Sequence, residues 1–348
     1  MRVGNLSSWP APPLEWTGHT GPVRSMSYSP NGARVVTGSS DRTIRIWDSE
    51  SGAVVGEPLT GHNEVVNSVA YSPDGRHIIS GSRDRTIRIW DANTGAKVGD
   101  PLEGHTSWVS SVAYSPDGRH ILSGSYDETI RIWDAKTGTK VGDPLEGHTS
   151  EVLSVAYSPD GRHIISGSRD RTIRIWDANT GAKIGDPLEG HTSEVWSVAY
   201  SPDGRHILSG SGDCTIRIWD AKTGAKVGDP LEGHTNWVSS VAYSSDGRYI
   251  ISGSNDNTTH VWDASSIQPS SCNPIHSEFF AKPDNIDGWV RDSEGGLLYW
   301  VPHDCRAALH SPAVLTIPLT SRIRSVCLDF DDFAFGASWS QIFKSAPP

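Results

Sequence analysis

The sequence predicts an all-β chain in which short antiparallel strands stack radially as the blades of a propeller. Three observations lead there. Gly-His recurs at Gly18, Gly61, Gly104, Gly147, Gly190 and Gly233, always 43 residues apart. Trp-Asp closes each unit at Trp47, Trp90, Trp133, Trp176, Trp219 and Trp262. Between these marks run short apolar segments punctuated by Pro, Gly, Asp and Asn. A repeat of about 40–45 residues with these two dipeptides points to one four-stranded sheet per unit.

The second unit shows each strand in turn. Val65–Ser72 has strand composition, and "SPDGR" follows with the residues a tight turn favours. His77–Ser82 is a second strand. Thr86–Asp91, "TIRIWD", alternates with Ile87 and Ile89 on one face and Thr86, Arg88 and Trp90 on the other. "ANTG" turns the chain, and "AKVGDPL" is an outer strand that tolerates Pro101 because it lies at an edge. Stacking such sheets around an axis hides both faces of each.

The units divide the chain into a flexible segment 1–12, six repeats over 13–263, and 264–348. The last part reads as a divergent seventh blade with a tail. "DGWVRDSEGGLLYWVPH" (Asp287–His303) suggests two strands around a Gly-Gly turn, and "AVLTIPL" and "RIRSVCLDF" follow. "PLEW" (Pro13–Trp16) precedes the first Gly-His as "PLEG" precedes the others, so it can supply the outermost strand of that last blade. Six blades with a carboxy-terminal cap is the alternative.

Composition narrows the function classes. With 30 basic and 41 acidic residues the formal charge is -11, which argues against a broad phosphate-tracking surface. Cys214, Cys272, Cys305 and Cys327 form no CxxC pair and read as free thiols in a reducing compartment. The first sixteen residues contain no apolar targeting core, and no segment reaches membrane-span length. The expectation is an intracellular protein, cytoplasmic rather than nuclear, whose sequons at Asn5 and Asn257 go unused.

By its Gly-His and Trp-Asp marks, Gly18 to Asp263 resembles WD40-repeat proteins. "DGWVRDSEGGLLYWVP", "LDF" and "FAFGASW" further resemble the carboxy-terminal ends of WD40 proteins from mushroom-forming fungi, many of them NACHT-WD40 proteins. In those NLR-like ATPases the repeats act as sensor. The resemblance implies a sensor-like propeller; the sequence itself has no NACHT module, and "NTGAKVGD" (Asn93–Asp100) lacks a P-loop's Gly-Lys-Ser/Thr ending.

Each unit also holds a His, a Ser or Thr, an Asp and a Trp. These are His19, Thr37, Asp41 and Trp47; His62, Ser80, Asp84 and Trp90; His105, Ser123, Asp127 and Trp133. The series continues with His148, Ser166, Asp170 and Trp176; His191, Ser209, Asp213 and Trp219; His234, Ser252, Asp256 and Trp262. The first three residue types invite comparison with a catalytic triad. A set present six times is a structural clamp instead, and the resemblance implies a hydrogen-bonded tetrad tying the Gly-His loop to the Trp through the Asp. No catalytic residue, metal or cofactor is expected. His77, His120, His163 and His206 are one per unit and do not converge as ligands. "LDFDDF" (Leu328–Phe333) lacks the spacing of a calcium loop, and "HDC" (His303–Cys305) is too short to signify. No basic run with interleaved aromatics suggests nucleic acid, and the Arg88-type residues should pair internally.

Aligning the six units against one another leaves four variable columns. Three residues after the His stand Pro22, Val65, Trp108, Glu151, Glu194 and Trp237. Two further on stand Arg24, Asn67, Ser110, Leu153, Trp196 and Ser239. Before the Asp come Ser40, Arg83, Tyr126, Arg169, Gly212 and Asn255; after it, Arg42, Arg85, Glu128, Arg171, Cys214 and Asn257. In an antiparallel meander alternate turns share one end, so all four columns flank one rim and the more uniform "SPDG" and "ANTG" turns the other. Apart from Pro22, Gly212, Cys214 and Ser239, these residues are the candidate contacts for a protein or peptide partner. Trp, Tyr and Arg dominate binding energy at interfaces, which fits that expectation.

Overall fold

The computed structural model describes residues 16–264 and the backbone of three later strands, Trp289–Arg291, Leu297–Trp300 and Ile317–Pro318. The first blade contains β1 (Val23–Tyr28), β2 (Arg34–Ser39) and β3 (Ile44–Asp48). The second contains β4 (Val66–Tyr71), β5 (His77–Ser82), β6 (Thr86–Asp91) and β7 (Lys97–Glu103). The third is β8 (Val109–Tyr114), β9 (His120–Ser125), β10 (Ile130–Asp134) and β11 (Lys140–Leu145). The fourth is β12 (Val152–Tyr157), β13 (His163–Ser168), β14 (Ile173–Asp177) and β15 (Lys183–Leu188). The fifth is β16 (Val195–Tyr200), β17 (His206–Ser211) and β18 (Ile216–Asp220); the sixth is β19 (Val238–Tyr243), β20 (Tyr249–Ser254) and β21 (Thr258–Asp263). The first five sheets are meanders of consecutive strands, as are the three strands of the sixth given above. In the first and fifth blades the outer segment is held by isolated bridges, Ile44 to Leu59 and Ile216 to Leu231.

The innermost strand of every blade carries a bulge. Pairing steps from Val66–Ser82 to Ser68–Gly81 and leaves Asn67 unmatched; the same break falls between Val109 and Ser111 and at each equivalent place. Bulges re-aim a side chain and increase local twist.

The core lies in the seams between blades. Val36, Ile44 and Ile46 of the first blade pack with Val66, Val69 and Ile78 of the second, and four further clusters repeat this down the chain. Val66, Val109, Val152, Val195 and Val238 are fully buried. Each fits over a strand glycine of the preceding blade; a Cβ on Gly124 would lie 2.8 Å from Val152 Cγ1. Serines add a second tie: Val112 N–H donates to Ser68 Oγ at 3.1 Å, and Val155 N–H to Ser111 Oγ at 3.2 Å.

Five such seams join six blades. Among the described residues nothing comparable joins the sixth to the first: a Cβ on Gly253 meets nothing within 4 Å, and Val23 and Met26 are only half-buried. Past Ala264, β22 (Trp289–Arg291) and β23 (Leu297–Trp300) pair antiparallel, as the two expected strands should. β24 (Ile317–Pro318), from the "AVLTIPL" segment expected in a seventh blade, pairs with Thr258 and Thr259 as the fourth strand of the sixth sheet. The rest of the expected seventh blade, "LDFDDF", "HDC" and Pro13–Glu15 lie outside the described residues. Trp16 stacks on Trp47 with ring centroids 5.8 Å apart.

Candidate partner-binding face

The two rims are fixed by hydrogen bonds. His62 Nδ1 lies 2.8 Å from Asp84 Oδ2, so the Gly-His loop and the turn between the second and third strands meet at one end. Ala92 N–H donates to Arg76 O at 2.8 Å, which brings "ANTG" against "SPDGR" at the other.

The tetrad residues form one proton-ordered chain in each blade. In the second, His62 Nε2 lies 2.8 Å from Ser80 Oγ, and Trp90 Nε1–H donates to that oxygen at 2.8 Å. Because an ionised carboxylate can only accept, Nδ1 carries the proton, and Nε2 of the neutral ring accepts from the Ser80 hydroxyl, whose oxygen takes the indole N–H. The other blades match: His19, His105, His148, His191 and His234 lie 2.7–2.9 Å from Asp41, Asp127, Asp170, Asp213 and Asp256. Thr37 and Ser123, Ser166, Ser209 and Ser252 accept from Trp47, Trp133, Trp176, Trp219 and Trp262 at 2.7–2.9 Å.

Two residues the tetrad reading passed over complete the clamp. Thr86 donates through Oγ1 to Asp84 Oδ1 at 2.7 Å and through its backbone N–H at 3.0 Å. Ser82 Oγ accepts from Asp84 N–H at 3.1 Å. Both stand in constant columns, Thr43 to Thr258 and Ser39 to Ser254, and that constancy was their signal. Burial pushes the Asp84 carboxyl up, but the hydrogen bonds from His62 and Thr86 outweigh it and hold the group well below the usual carboxylate range. At Asp41 burial is likewise outweighed, chiefly by Thr43, and the pKa falls to about 2. The five Ser residues of these chains are fully buried.

The four variable columns occupy this clamped rim, each at a place where the backbone does the holding. The residue before the Asp donates its N–H to the carbonyl three after the His, as in Arg83 to Val65, Tyr126 to Trp108 and Asn255 to Trp237, all at 2.9 Å. Such a bond is indifferent to side chain. The column two further on is the bulge residue of the innermost strand. The residue after the Asp closes a three-residue turn with positive φ: Arg42 72°, Arg85 71°, Glu128 69°, Arg171 70°, Cys214 68° and Asn257 66°. That left-handed conformation is uncommon for any residue but Gly, Asn or Asp, so the column is constrained in backbone although free in side chain.

The side chains touch one another within and across blades. Arg24 Nε donates to Ser40 Oγ at 2.7 Å, and Arg83 Nε to Asn67 Oδ1 at 3.3 Å. The Arg83 guanidinium lies 4.4 Å from the Trp108 ring centre, and Trp108 packs on Tyr126 at 5.2 Å. Arg169 lies 5.9 Å from the Tyr126 ring, 2.8 Å from Glu151 and 3.9 Å from Glu194. Trp196 and Trp237 stack at 5.6 Å with planes 9° apart. Ser110 Oγ donates toward the Gly124 and Val152 carbonyls.

Three expectations need correction. Leu153 is only 7% exposed and offers a partner little. Trp196 is half-buried beneath Trp237 with a buried Nε1–H that meets no acceptor, so it supports the face more than it presents it. Arg88 and its equivalents Arg45, Arg131, Arg174 and Arg217 make no ion pair among the described residues, and their Nε atoms are buried without a partner. Trp108 and Trp237 are 39% and 47% exposed and remain open anchors.

The opposite rim holds a cavity of about 400 Å³ lined by repeated Ala, Tyr, Ser and Pro, including Tyr114, Tyr157, Tyr200 and Tyr243. Burial pushes those four phenols above their ordinary pKa. Among the described residues no three His, Cys, Asp or Glu side chains gather as a metal site, and no helix is long and apolar enough to cross a membrane.

Comparison with known proteins agrees with this architecture. Residues 23–190 match the second β-propeller of echinoderm microtubule-associated proteins, and 183–220 and 226–263 each match the WD domain, G-beta repeat. A ribosome biogenesis protein BOP1 homolog from Oryza sativa subsp. japonica is 48% identical over 42 residues, 12% of this chain and 6% of that protein. A periodic tryptophan protein 2 homolog from Neurospora crassa is 49% identical over 43 residues, 12% of this chain and 5% of that one. WD repeat-containing protein 97 from Homo sapiens is 46% identical over 44 residues, covering 13% and 3%. Each similarity therefore spans a small fraction of the relative's length and about one repeat of this chain.

Proposed function

Because the chain is an all-β propeller of WD40 repeats, we propose that it is a non-catalytic interaction module that grips a protein or peptide on the clamped rim. One observation carries the reading: side chains on that rim range from Trp to Glu and Arg within one column, while the turns of the other rim stay close to "SPDG" and "ANTG" in the four central units. Unconstrained surface would drift at both ends. The accumulation of Trp, Tyr and Arg, and their contacts across blades, suit a pre-organised paratope. The finer form of the proposal is a sensor-like role, as in the fungal NACHT-WD40 proteins whose carboxy-terminal segments this sequence resembles. A scaffold or substrate receptor in a larger complex would use the same rim; two relatives matched over about one repeat are by name ribosome-biogenesis and periodic-tryptophan proteins. The proposal places the protein inside the cell.

The test is affinity capture with the wild type and with a Trp108→Ala/Trp237→Ala variant. Proteins retained by the wild type should be lost by the variant, whose melting temperature should move by only a few degrees because both rings are substantially exposed. Equal retention would overturn the assignment of the face.

A further inference from the structure

Two arginines stand in the same column, before the clamp Asp, in opposite electrostatic circumstances. Arg169 is met by Glu151 at 2.8 Å and by Glu194 at 3.9 Å. Arg83 meets no carboxylate among the described residues: Asn67 takes its Nε–H at 3.3 Å, and Trp108 lies under its plane at 4.4 Å. These two contacts fix the guanidinium at one edge and one face. Its two terminal amino groups are left without an acceptor among the described residues. A planar fork held in this way is arranged for bidentate contact with a carboxylate.

The surroundings reinforce the asymmetry. Arg85, exposed and in a left-handed conformation, stands two residues away. Arg42 reaches in from the first blade, its Nη1 donating to Asn63 O at 3.3 Å. The intervening Asp84 is no competitor, since Oδ2 takes His62 and the Asn63 N–H while Oδ1 takes Thr86 twice. Glu64 and Glu128 are exposed carboxylates in the clamped-rim loops of these two blades, and neither forms an ion pair among the described residues. Arg83 thus stands on an open Trp ring, with Arg85 two residues along the same turn and Arg42 on the neighbouring Gly-His loop, in a chain whose formal charge is -11.

We propose that Arg83, assisted by Arg85 and Arg42, is the subsite for a carboxylate side chain of an acidic peptide, with an adjacent apolar side chain lying on Trp108. This rests on the partner-binding reading of the rim and names the chemistry of the partner there. The Arg169 end of the ladder, already neutralised, does not take the anion.

Calorimetry with the full chain tests it, using acetylated Glu-Glu-Phe-Glu-Glu amide as the probe. The wild type should bind the probe, and the all-Gln analogue should bind at least tenfold more weakly. R83Q should lose at least tenfold and R83K should fall between, because Lys keeps the charge without the fork; R169Q should stay within twofold. No binding to the wild type, equal binding of the Gln analogue, or R83Q matching the wild type would overturn the proposal, provided the variant's melt matches the wild type. Displacement of the probe by inorganic phosphate at equal concentration would overturn the peptide assignment in favour of a bare anion site. Should R83Q leave probe binding intact while the double Trp variant still loses captured proteins, the carboxylate subsite falls and the rim stands. Captured proteins indifferent to the Trp replacements would instead remove the rim.

Discussion

The residue after each clamp Asp adopts a conformation that costs an ordinary side chain about 1–2 kcal/mol, yet five of the six blades place neither Gly nor Asn there. Replacing Arg171 by Gly removes that strain but adds freedom to the unfolded chain, so the two effects should nearly cancel. R171G is expected to change stability by less than about 1 kcal/mol, whereas R171V should lose about 1–2 kcal/mol because a β-branched residue fits the left-handed region worst. Thermal melts of the pair check this, and a strongly destabilised R171G would mean that the Arg side chain braces the fold. A second residue-scale expectation concerns His260, which replaces the strand Arg in the sixth blade and stacks on His234 at 4.1 Å. Burial first, and the neighbouring His234 second, lower its pKa from 6.5 to about 4. The unfolded chain therefore takes up a proton near pH 6.5 that the folded chain refuses until about pH 4. Stability should fall as pH drops through that window, with His19, also lowered chiefly by burial, acting in the same direction. A His260→Gln variant should show a shallower fall of melting temperature; an unchanged pH profile would refute the assignment.

Within the blades, strand order, turn positions and the constant residues were legible because they follow from alternation and from Pro, Gly and Asp placement. The bulge was not. Asn67 or Ser110 inserted in a strand looks like any other polar residue, and only the shift of pairing reveals that the side chain is turned aside. The left-handed turn residue was equally hidden, because Arg and Glu give none of the composition signal that Gly would. The seam glycines were visible as part of "SGS" but not for their purpose, which is close approach. Gly124→Ala should force Val152 outward, since the new Cβ would stand 2.8 Å from its Cγ1. Overpacking of this kind typically costs about 1–3 kcal/mol, measurable by denaturant unfolding.

For the whole molecule, the sixth and first blades present the two halves of a seam with the joint unfilled among the described residues. Gly253 offers the slot; Val23 and Met26 are the corresponding knobs, left half-buried. If the expected seventh blade is formed by residues beyond Ala264, Gly253→Ala should destabilise as much as Gly124→Ala. A neutral Gly253→Ala would show that no neighbouring blade fills this slot and would overturn the seventh blade. Comparing the two unfolding curves checks this without knowledge of any ligand.

The seams are alike, with Val over Gly and backbone N–H to Ser at each, so one unit could stand in another's place without disturbing the stack. Copies of such a unit are interchangeable parts, and gene rearrangements that duplicate, delete or reorder them would yield folded proteins. The contacts on the rim are not interchangeable. Arg83 needs Trp108 in the next unit, and Trp196 needs Trp237. Shuffling would therefore preserve the body while rewriting recognition at two junctions with every move, which makes order, as well as content, a heritable variable of this surface.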